Sequence, residues 1–500
     1  MTAPTRHEMT KRIRYFRIRS ANPTSLHAPR VTVEIVISPG IPRHTVVGLA
    51  QGAVKESLDR IRAAVGAAGY TFPRGAITIN LAPADTRKEG SAFDLPIALG
   101  ILAADGQMDT ASLNRSSWLI MGELTLDARV QPVEGVMPGI LDARKDGVND
   151  VILPRGNLPE AMAFPGLQVG AVRHLKEAVE VLEGKATTLC VHASEGVKAA
   201  SSAPDFSMVV GQDGCVRTLA IAAAGGHNVL MTGPPGCGKT LMARCMEGIL
   251  PSWPRPLALE ATCLHSLRKP GMSLLQRRPF RRPHHSVSAA GLLGGGTPLR
   301  PGEVSLAHGG VLFLDELPEF NPRVLEGLRE PLEEGKVTLS RAHGVEEYPS
   351  DFQLVAAMNP CPCGFSGSRE KRCVCSEGRR KQYKARVSGP LLDRIDIHIP
   401  VAQVDPMKHL GSASVSSGEW LEQVEKARQR LDTAPPVLHS EEDQILVKAV
   451  AALGVSMRTV AGIRRIARTI AAFEGADRVD RDHVSEAIRI GGHSRRNAVP

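Results

Sequence analysis

Asn228-Val-Leu-Met-Thr-Gly233-Pro-Pro-Gly-Cys-Gly-Lys-Thr240 is the stretch on which the reading of this chain turns. An apolar strand candidate, Asn228 to Met231, runs into a Gly-x4-Gly-Lys-Thr loop, and Leu241 to Leu250 then has helical character. Glycines let backbone N–H groups turn inward around phosphate oxygens, and the start of the following helix adds favourable partial charge. Gly233, Pro234, Pro235, Gly236, Cys237, Gly238, Lys239 and Thr240 are therefore assigned to a nucleotide. Lys239 is expected to reach the β- and γ-phosphates of ATP, and Thr240 to ligate Mg2+.

Working outward, Val311-Leu-Phe-Leu-Asp-Glu316 is an apolar run ending in two carboxylates, about seventy residues beyond the loop. A buried parallel strand delivers acids at its carboxyl edge in this way. Asp315 is expected to hold Mg2+, directly or through water, and Glu316 to orient or activate the attacking water. Leu354-Val-Ala-Ala-Met-Asn359 is a further strand, whose Asn359 would contact the γ-phosphate or its water. Leu391-Leu-Asp-Arg-Ile-Asp396 sets Arg394 beside two acids. Arg394 reads either as a surface ion pair, usually worth little, or as a finger supplied to a neighbouring subunit's nucleotide. Mg2+-dependent ATP hydrolysis is the expected chemistry.

In this order the motifs resemble the AAA+ superfamily, and more closely the magnesium-chelatase-like ATPases of the YifB/ComM family. The resemblance runs from about residue 31 to 490. It is carried by Asn80-Leu-Ala-Pro-Ala-Asp85, Phe93-Asp-Leu-Pro-Ile-Ala-Leu-Gly100 and Arg278-Pro-Phe-Arg-Arg-Pro-His-His285. Pro301-Gly-Glu-Val-Ser-Leu-Ala-His308, Asn359-Pro-Cys-Pro-Cys-Gly364 and Ser388-Gly-Pro-Leu-Leu-Asp-Arg-Ile-Asp396 extend it. It implies that Asn359 is the sensor 1 residue, Arg394 the arginine finger and Arg458 the sensor 2 residue. It also implies a ring, a homohexamer, with ATP at subunit interfaces.

The expected fold class is α/β. Strand patterns at Val31–Ile37, Ala76–Leu81 and Val151–Leu153 alternate with helical spacing at Ala53–Ala68, Leu95–Ala103 and Leu175–Leu182. Residues 31–184 resemble a Lon-protease-like domain of S5-type fold, behind a basic leader over 1–30. A linker is expected over 185–206, an AAA+ P-loop domain with a parallel sheet over 207–404, and a helical lid over 405–500. Gly122-Glu-Leu-Thr-Leu-Asp-Ala-Arg-Val-Gln-Pro132 is close to a Lon segment, which raises an ATP-dependent serine protease as a rival. A Ser–Lys dyad is what that chemistry needs. Ala92 stands at the nucleophile position with Ser91 one place early, and Gly135-Val-Met-Pro-Gly139, where the base belongs, has no Lys. Protease activity is therefore not expected.

Cys361-Pro-Cys363 and Cys373-Val-Cys375 put four of the nine cysteines within fifteen residues. Four thiolates suit a closed tetrahedral Zn2+ site. A redox-labile disulfide pair, or thiols that bind nothing, are the alternatives.

Charge points to the partner. Residues 1–30 carry +6, 268–300 carry +7 with no acid, and 369–386 carry +6. These stretches hold +19 of a chain whose total is +9, so the remainder is −10. Polyanion contact at particular places is the expectation. The family resemblance implies DNA, through branch migration during recombination of incoming DNA in natural transformation. Lys336 to Pro349 reads as a hairpin insertion, and related AAA+ proteins project such insertions into the ring's pore. Arg300, Arg341 and His343 are the DNA-contact candidates. Against this, the arginines pair with acids or solvate a surface, and the motor remodels a protein partner as a chelatase subunit does. Aromatics at 4% disfavour a binder built on stacking platforms. The longest apolar run, Leu95 to Ala104, is about half the ~20 residues of a membrane helix. No apolar signal core follows Met1. The Arg-rich start reads as a leader on a cytoplasmic protein or as an organellar transit peptide.

Overall fold

The computed structural model describes residues 13–22, 26, 29–48, 52–84, 88, 90–111, 117–192, 203–341, 344–367, 371–404, 414–440, 442–444, 446–447 and 457–491. The chain divides into two compact units. The first is Met1–Val197 together with Leu259–Leu275 and Gly296–Arg300, and the second is the remainder.

The first unit is built on an eight-stranded sheet. In spatial order its strands are Leu189–Cys190, Gln168–Val172, Asp150–Pro154, Trp118–Ile120, Arg14–Ala21, Arg30–Ser38, Ala76–Ala82 and Arg43–Val47. Val31, Val33, Ile35 and Ile37 recur at period two, and all four are buried. They pack with Ile77, Ile79 and Leu81 of the neighbouring strand and with the helices Gly52–Ala67 and Asp94–Asp105.

Three expected boundaries move. Arg14–Ala21, placed in a basic leader by its charge, is an interior strand paired from Arg14↔Ile37 to Ala21↔Arg30. The charge sum hid the alternation: Ile18 and Ser20 are buried, while Arg14 and Arg19 pair with Asp105 and Asp146. The expected linker over 185–206 is anchored at both ends, because Leu189–Cys190 is a strand and Phe206 is fully buried. Leu259–Leu275, placed in the ATPase module, belongs to the first unit. There Cys263 is buried in one cluster with Met137, Ile140 and Ala161. Sequence order hides such an excursion.

The second unit holds a five-stranded sheet in the order Phe280–Arg281, Val311–Leu314, Gln353–Met358, Val229–Thr232 and Ile397–Pro400, parallel at every pairing. Its strands are apolar at nearly every position because both faces are covered. Val229, Met231, Phe313, Val355 and Ala357 face one core, which contains the helix Asp213–Gly225 and the later helices Ser417–Thr433, Met457–Glu474 and Arg481–Ile490. Leu230, Leu312, Leu314, Leu354 and Ala356 face the other, with Leu317, Phe320, Tyr383 and Leu391. The helices expected of a separate lid thus share a core with the nucleotide sheet. Ser416 and Glu419 form a capping box that starts the first of them.

Glu160 is fully buried in the first unit, accepting hydrogen bonds from the Gly271 N–H at 2.5 Å and from Asn157 Nδ2 at 3.3 Å. Burial pushes its carboxyl from 4.5 up to about 7. The folded state then holds more protons than the unfolded state, so this group's contribution to stability falls as pH rises between these two values. Glu160→Gln keeps the accepting oxygen and removes the titration. Urea unfolding followed through Trp118, which is buried in the same unit, is expected to lose less stability across that interval in Glu160→Gln than in the parent.

Candidate functional site

Parallel register delivers the site. Val229–Thr232 lies between Gln353–Met358 and Ile397–Pro400, with Thr232 level with Met358, and Leu314 is level with Ala356. The phosphate loop, Asn359 and the Asp315–Glu316 pair therefore leave neighbouring carboxyl ends, at the point where the strand order switches. The Gly233 N–H donates to Met358 O at 3.2 Å, which ties the loop to the strand carrying Asn359. Gly236 and Gly238 have φ of 78° and 88°, a conformation that glycine adopts without steric cost.

Lys239 is buried, and its ammonium is already collected. It donates to Gly233 O at 2.7 Å, Pro234 O at 2.8 Å and Asn359 Oδ1 at 3.2 Å. Thr240 Oγ1 donates to Asp315 Oδ2 at 2.9 Å. Arg282 reaches the same carboxylate oxygen at 2.8 Å and lies 5.5 Å from the Phe313 ring. Glu316 is one of two non-glycine residues with positive φ among those described, at 54°. Such a backbone is costly for a side-chain-bearing residue and concentrates at functional sites. The family-implied ATP and Mg2+ fit this donor set: a hydroxyl and a carboxylate within hydrogen-bond distance, beside an ammonium at a glycine loop.

Arg394 and Arg458, expected in two different roles, both pair with Glu333. Arg394 also donates to Pro390 O at 2.7 Å. The two guanidiniums, Arg458 first, hold the Glu333 carboxyl down to about 2. Neither residue is a solitary surface arginine.

The basic stretch 268–300 changes meaning. Arg281 makes a bidentate pair with Glu303 at 2.7 and 2.9 Å, Arg282 binds Asp315, and Arg300 binds Glu134 at 2.9 Å. Arg278 serves the carbonyls of Pro251, Gly309 and Ser252, and burial lowers it to about 10. Acids distant in sequence neutralise much of what looked like one acid-free patch. Adjacent His284 and His285 have ring centroids 4.1 Å apart, and His285 lies 3.8 Å from Glu316. The sequence reading missed Arg282 and His285 as neighbours of the nucleotide site; their signal was the Arg278–His285 motif itself. Lys336–Arg341 and Gly344–Pro349 form the expected antiparallel hairpin. Arg341 ends its first strand, and His343 lies outside the described residues.

The four cysteines converge. Sγ of Cys361 is 3.4 Å from Cys363 and 3.6 Å from Cys373, Cys363 to Cys373 is 3.6 Å, and all four with Cys375 lie within 4.8 Å. A tetrahedron with Zn–S bonds of about 2.3 Å has sulfur–sulfur edges of about 3.8 Å, whereas a disulfide needs about 2.05 Å. The Ser366 N–H donates to Cys361 Sγ at 3.3 Å. Backbone N–H groups of Phe365 and Val374 hold the Cys363 thiol down to about 6.

Family models described as magnesium chelatase, subunit ChlI, match residues 205–409. Models for subunit ChlI of Mg-chelatase and for the ChlI C-terminal region match 33–157 and 425–490. Uncharacterized protein YifB of Salmonella typhimurium is 39% identical over 482 residues, covering 93% of this chain and 94% of its own. Competence protein ComM of Haemophilus influenzae is 39% identical over 487 residues, with the same coverage. The chain belongs to the YifB/ComM family of magnesium-chelatase-like AAA+ ATPases. Likeness to Lon protease 2 of Bacillus subtilis is partial, at 29% over 224 residues. In this YifB/ComM chain Ser91 Oγ donates to Glu123, Lys88 Nζ donates to Pro83 O, and Ala92 is buried. No helix among the described residues is long and apolar enough to cross a membrane.

Two substitutions separate the roles in the nucleotide site. Lys239→Ala is expected to abolish binding of a fluorescent ATP analogue. Glu316→Gln is expected to keep that binding and to lower ATP turnover about 10²–10⁴-fold, as loss of a group that activates water does.

Proposed function

We propose that this chain is a Mg2+-dependent ATPase subunit of a homohexameric ring that moves on DNA and acts in branch migration during recombination of incoming DNA. The observation that carries the ATPase reading is the convergence of Lys239, Asn359, Thr240 and Asp315 at adjacent strand ends. Lys239 binds the β- and γ-phosphates, exchanging loop carbonyls for phosphate oxygens. Thr240 and Asp315 hold Mg2+, which neutralises charge on the phosphates. Glu316 orients the attacking water, and Asn359 fixes its position. Arg394 completes a neighbouring subunit's site, and Arg458 accompanies it because both side chains rest on Glu333.

The DNA reading is supported by the name of a full-length relative, a competence protein. It is supported also by the basic helix Glu377–Ala385, with Arg379, Arg380, Lys381 and Lys384. Arg341 and His343 remain hairpin candidates for tracking phosphates, while Arg300 must leave Glu134 to do so. That pairing favours the second reading, a motor remodelling a protein partner. In this proposal the first unit is a Lon-like domain without its dyad, the last helices act as the lid, and the protein works in the cytoplasm. Cys361, Cys363, Cys373 and Cys375 hold one structural Zn2+.

Two measurements test the motor. Forked DNA and Holliday junctions incubated with ATP should be unwound or migrated, with affinity that falls steeply with salt. No processing of either substrate favours the protein-remodelling reading. Arg394→Ala should lower kcat about 10³-fold or more, and mixing it with Lys239→Ala subunits should restore part of the turnover. Mixtures no more active than their separate components would rule out an arginine supplied in trans.

A further inference from the structure

Asn359 and the first zinc ligand are separated by Pro360 alone. The chain thus passes from the nucleotide site into the cysteine cluster without a linker that could decouple them. Cys361 is fully buried, so its sulfur is fixed to the body of the unit rather than to a surface loop. Gly364, one residue past the second ligand, has φ of 85° and lies against the phosphate loop. A Cβ built on it would stand 2.4 Å from Cδ of Pro235, closer than real side chains approach. The far end of the cluster also returns to the site. Ser376, directly after Cys375, caps the helix Glu377–Ala385, and Tyr383 of that helix is buried with its hydroxyl on the Asn359 backbone. The cysteine loop therefore touches the nucleotide site at Asn359, at Pro235 and again at Asn359 through Tyr383.

We infer that the tetrathiolate zinc centre braces the phosphate loop and Asn359, so that metal loading sets the affinity for ATP. This rests on the zinc reading above and goes beyond a staple for the basic helix. A metal bridging Cys361 and Cys363 to Cys373 and Cys375 removes the conformational freedom of the loop between them. That fixes Gly364 against Pro235 and the helix that carries Tyr383. Without the metal, nothing ties Cys361 and Cys363 to Cys373 and Cys375, the segment between them regains its conformational freedom, and Pro235 loses its backing. Gly364 and Tyr383 are positioning residues here; neither is placed on the nucleotide.

The test uses the full-length chain purified without chelator, with zinc measured by elemental analysis and affinity by titration of a fluorescent ATP analogue. The expected results are one zinc per chain, and a dissociation constant that rises about tenfold or more when zinc is stripped, as displacement of a positioning group produces. Adding Zn2+ back should restore it. The double variant Cys373→Ser/Cys375→Ser should lose zinc and match the stripped protein. Gly364→Ala covers the case in which the double variant does not fold: it should keep zinc and still weaken ATP binding. Absence of stoichiometric zinc in the parent overturns the metal site. Bound zinc with unchanged affinity in Gly364→Ala and in the stripped protein overturns the brace alone and leaves the zinc reading standing.

Discussion

The parallel register of Val229–Thr232 against Gln353–Met358, and of that strand against Val311–Leu314, is the constraint on which the rest depends. A slip by one residue would exchange the faces of a strand. It would also move Asn359 or Asp315 by about 3.3 Å relative to the phosphate loop. Hydrogen bonds of 2.9 Å and 3.2 Å linking Thr240 to Asp315 and Lys239 to Asn359 would not survive that displacement. Both faces of the sheet are sealed by apolar clusters, so the fit of side chains of different size, Phe313 on one face against Leu312 and Leu314 on the other, holds the register before any ligand arrives.

Charge in this protein is organised by the same logic. Arginines clustered in sequence are distributed in space to acids far along the chain: Arg281 to Glu303, Arg282 to Asp315, Arg300 to Glu134. Arg394 and Arg458 converge on one carboxylate across separate segments, which makes Glu333 the common support of two residues with family-implied roles at the nucleotide. Exposed ion pairs stabilise little on their own. Their weight here lies in placing guanidiniums, and in removing from the surface much of the positive potential that a sum over sequence attributes to it.

The motifs made the convergence of Lys239, Thr240, Asp315 and Asn359 in the candidate site legible, because phosphate loops and acidic strand ends join local spacing to a strand–loop–helix context. The convergence of the cysteines was legible for a similar reason: four soft donors within fifteen residues leave few geometries, and their sulfurs lie within 4.8 Å of one another, as a metal site would need. Summed charge points Arg14–Ala21 to a leader, whereas the alternation of its side chains decides its burial in the sheet. Leu259–Leu275 lies in sequence between two ATPase motifs yet packs with the first unit, and no local pattern marks that excursion.

The sequence by itself determined the chemistry on offer: a phosphate loop, two acids, an asparagine and four thiols, each recognisable because its spacing is set by backbone geometry over a few residues. Only the tertiary structure decided which charges are spent, which arginines meet, and that Gly364 sits against Pro235. Those outcomes depend on strand order and on side chains separated by tens to hundreds of residues. No local pattern encodes such distances, because packing of the two sheet faces sets them.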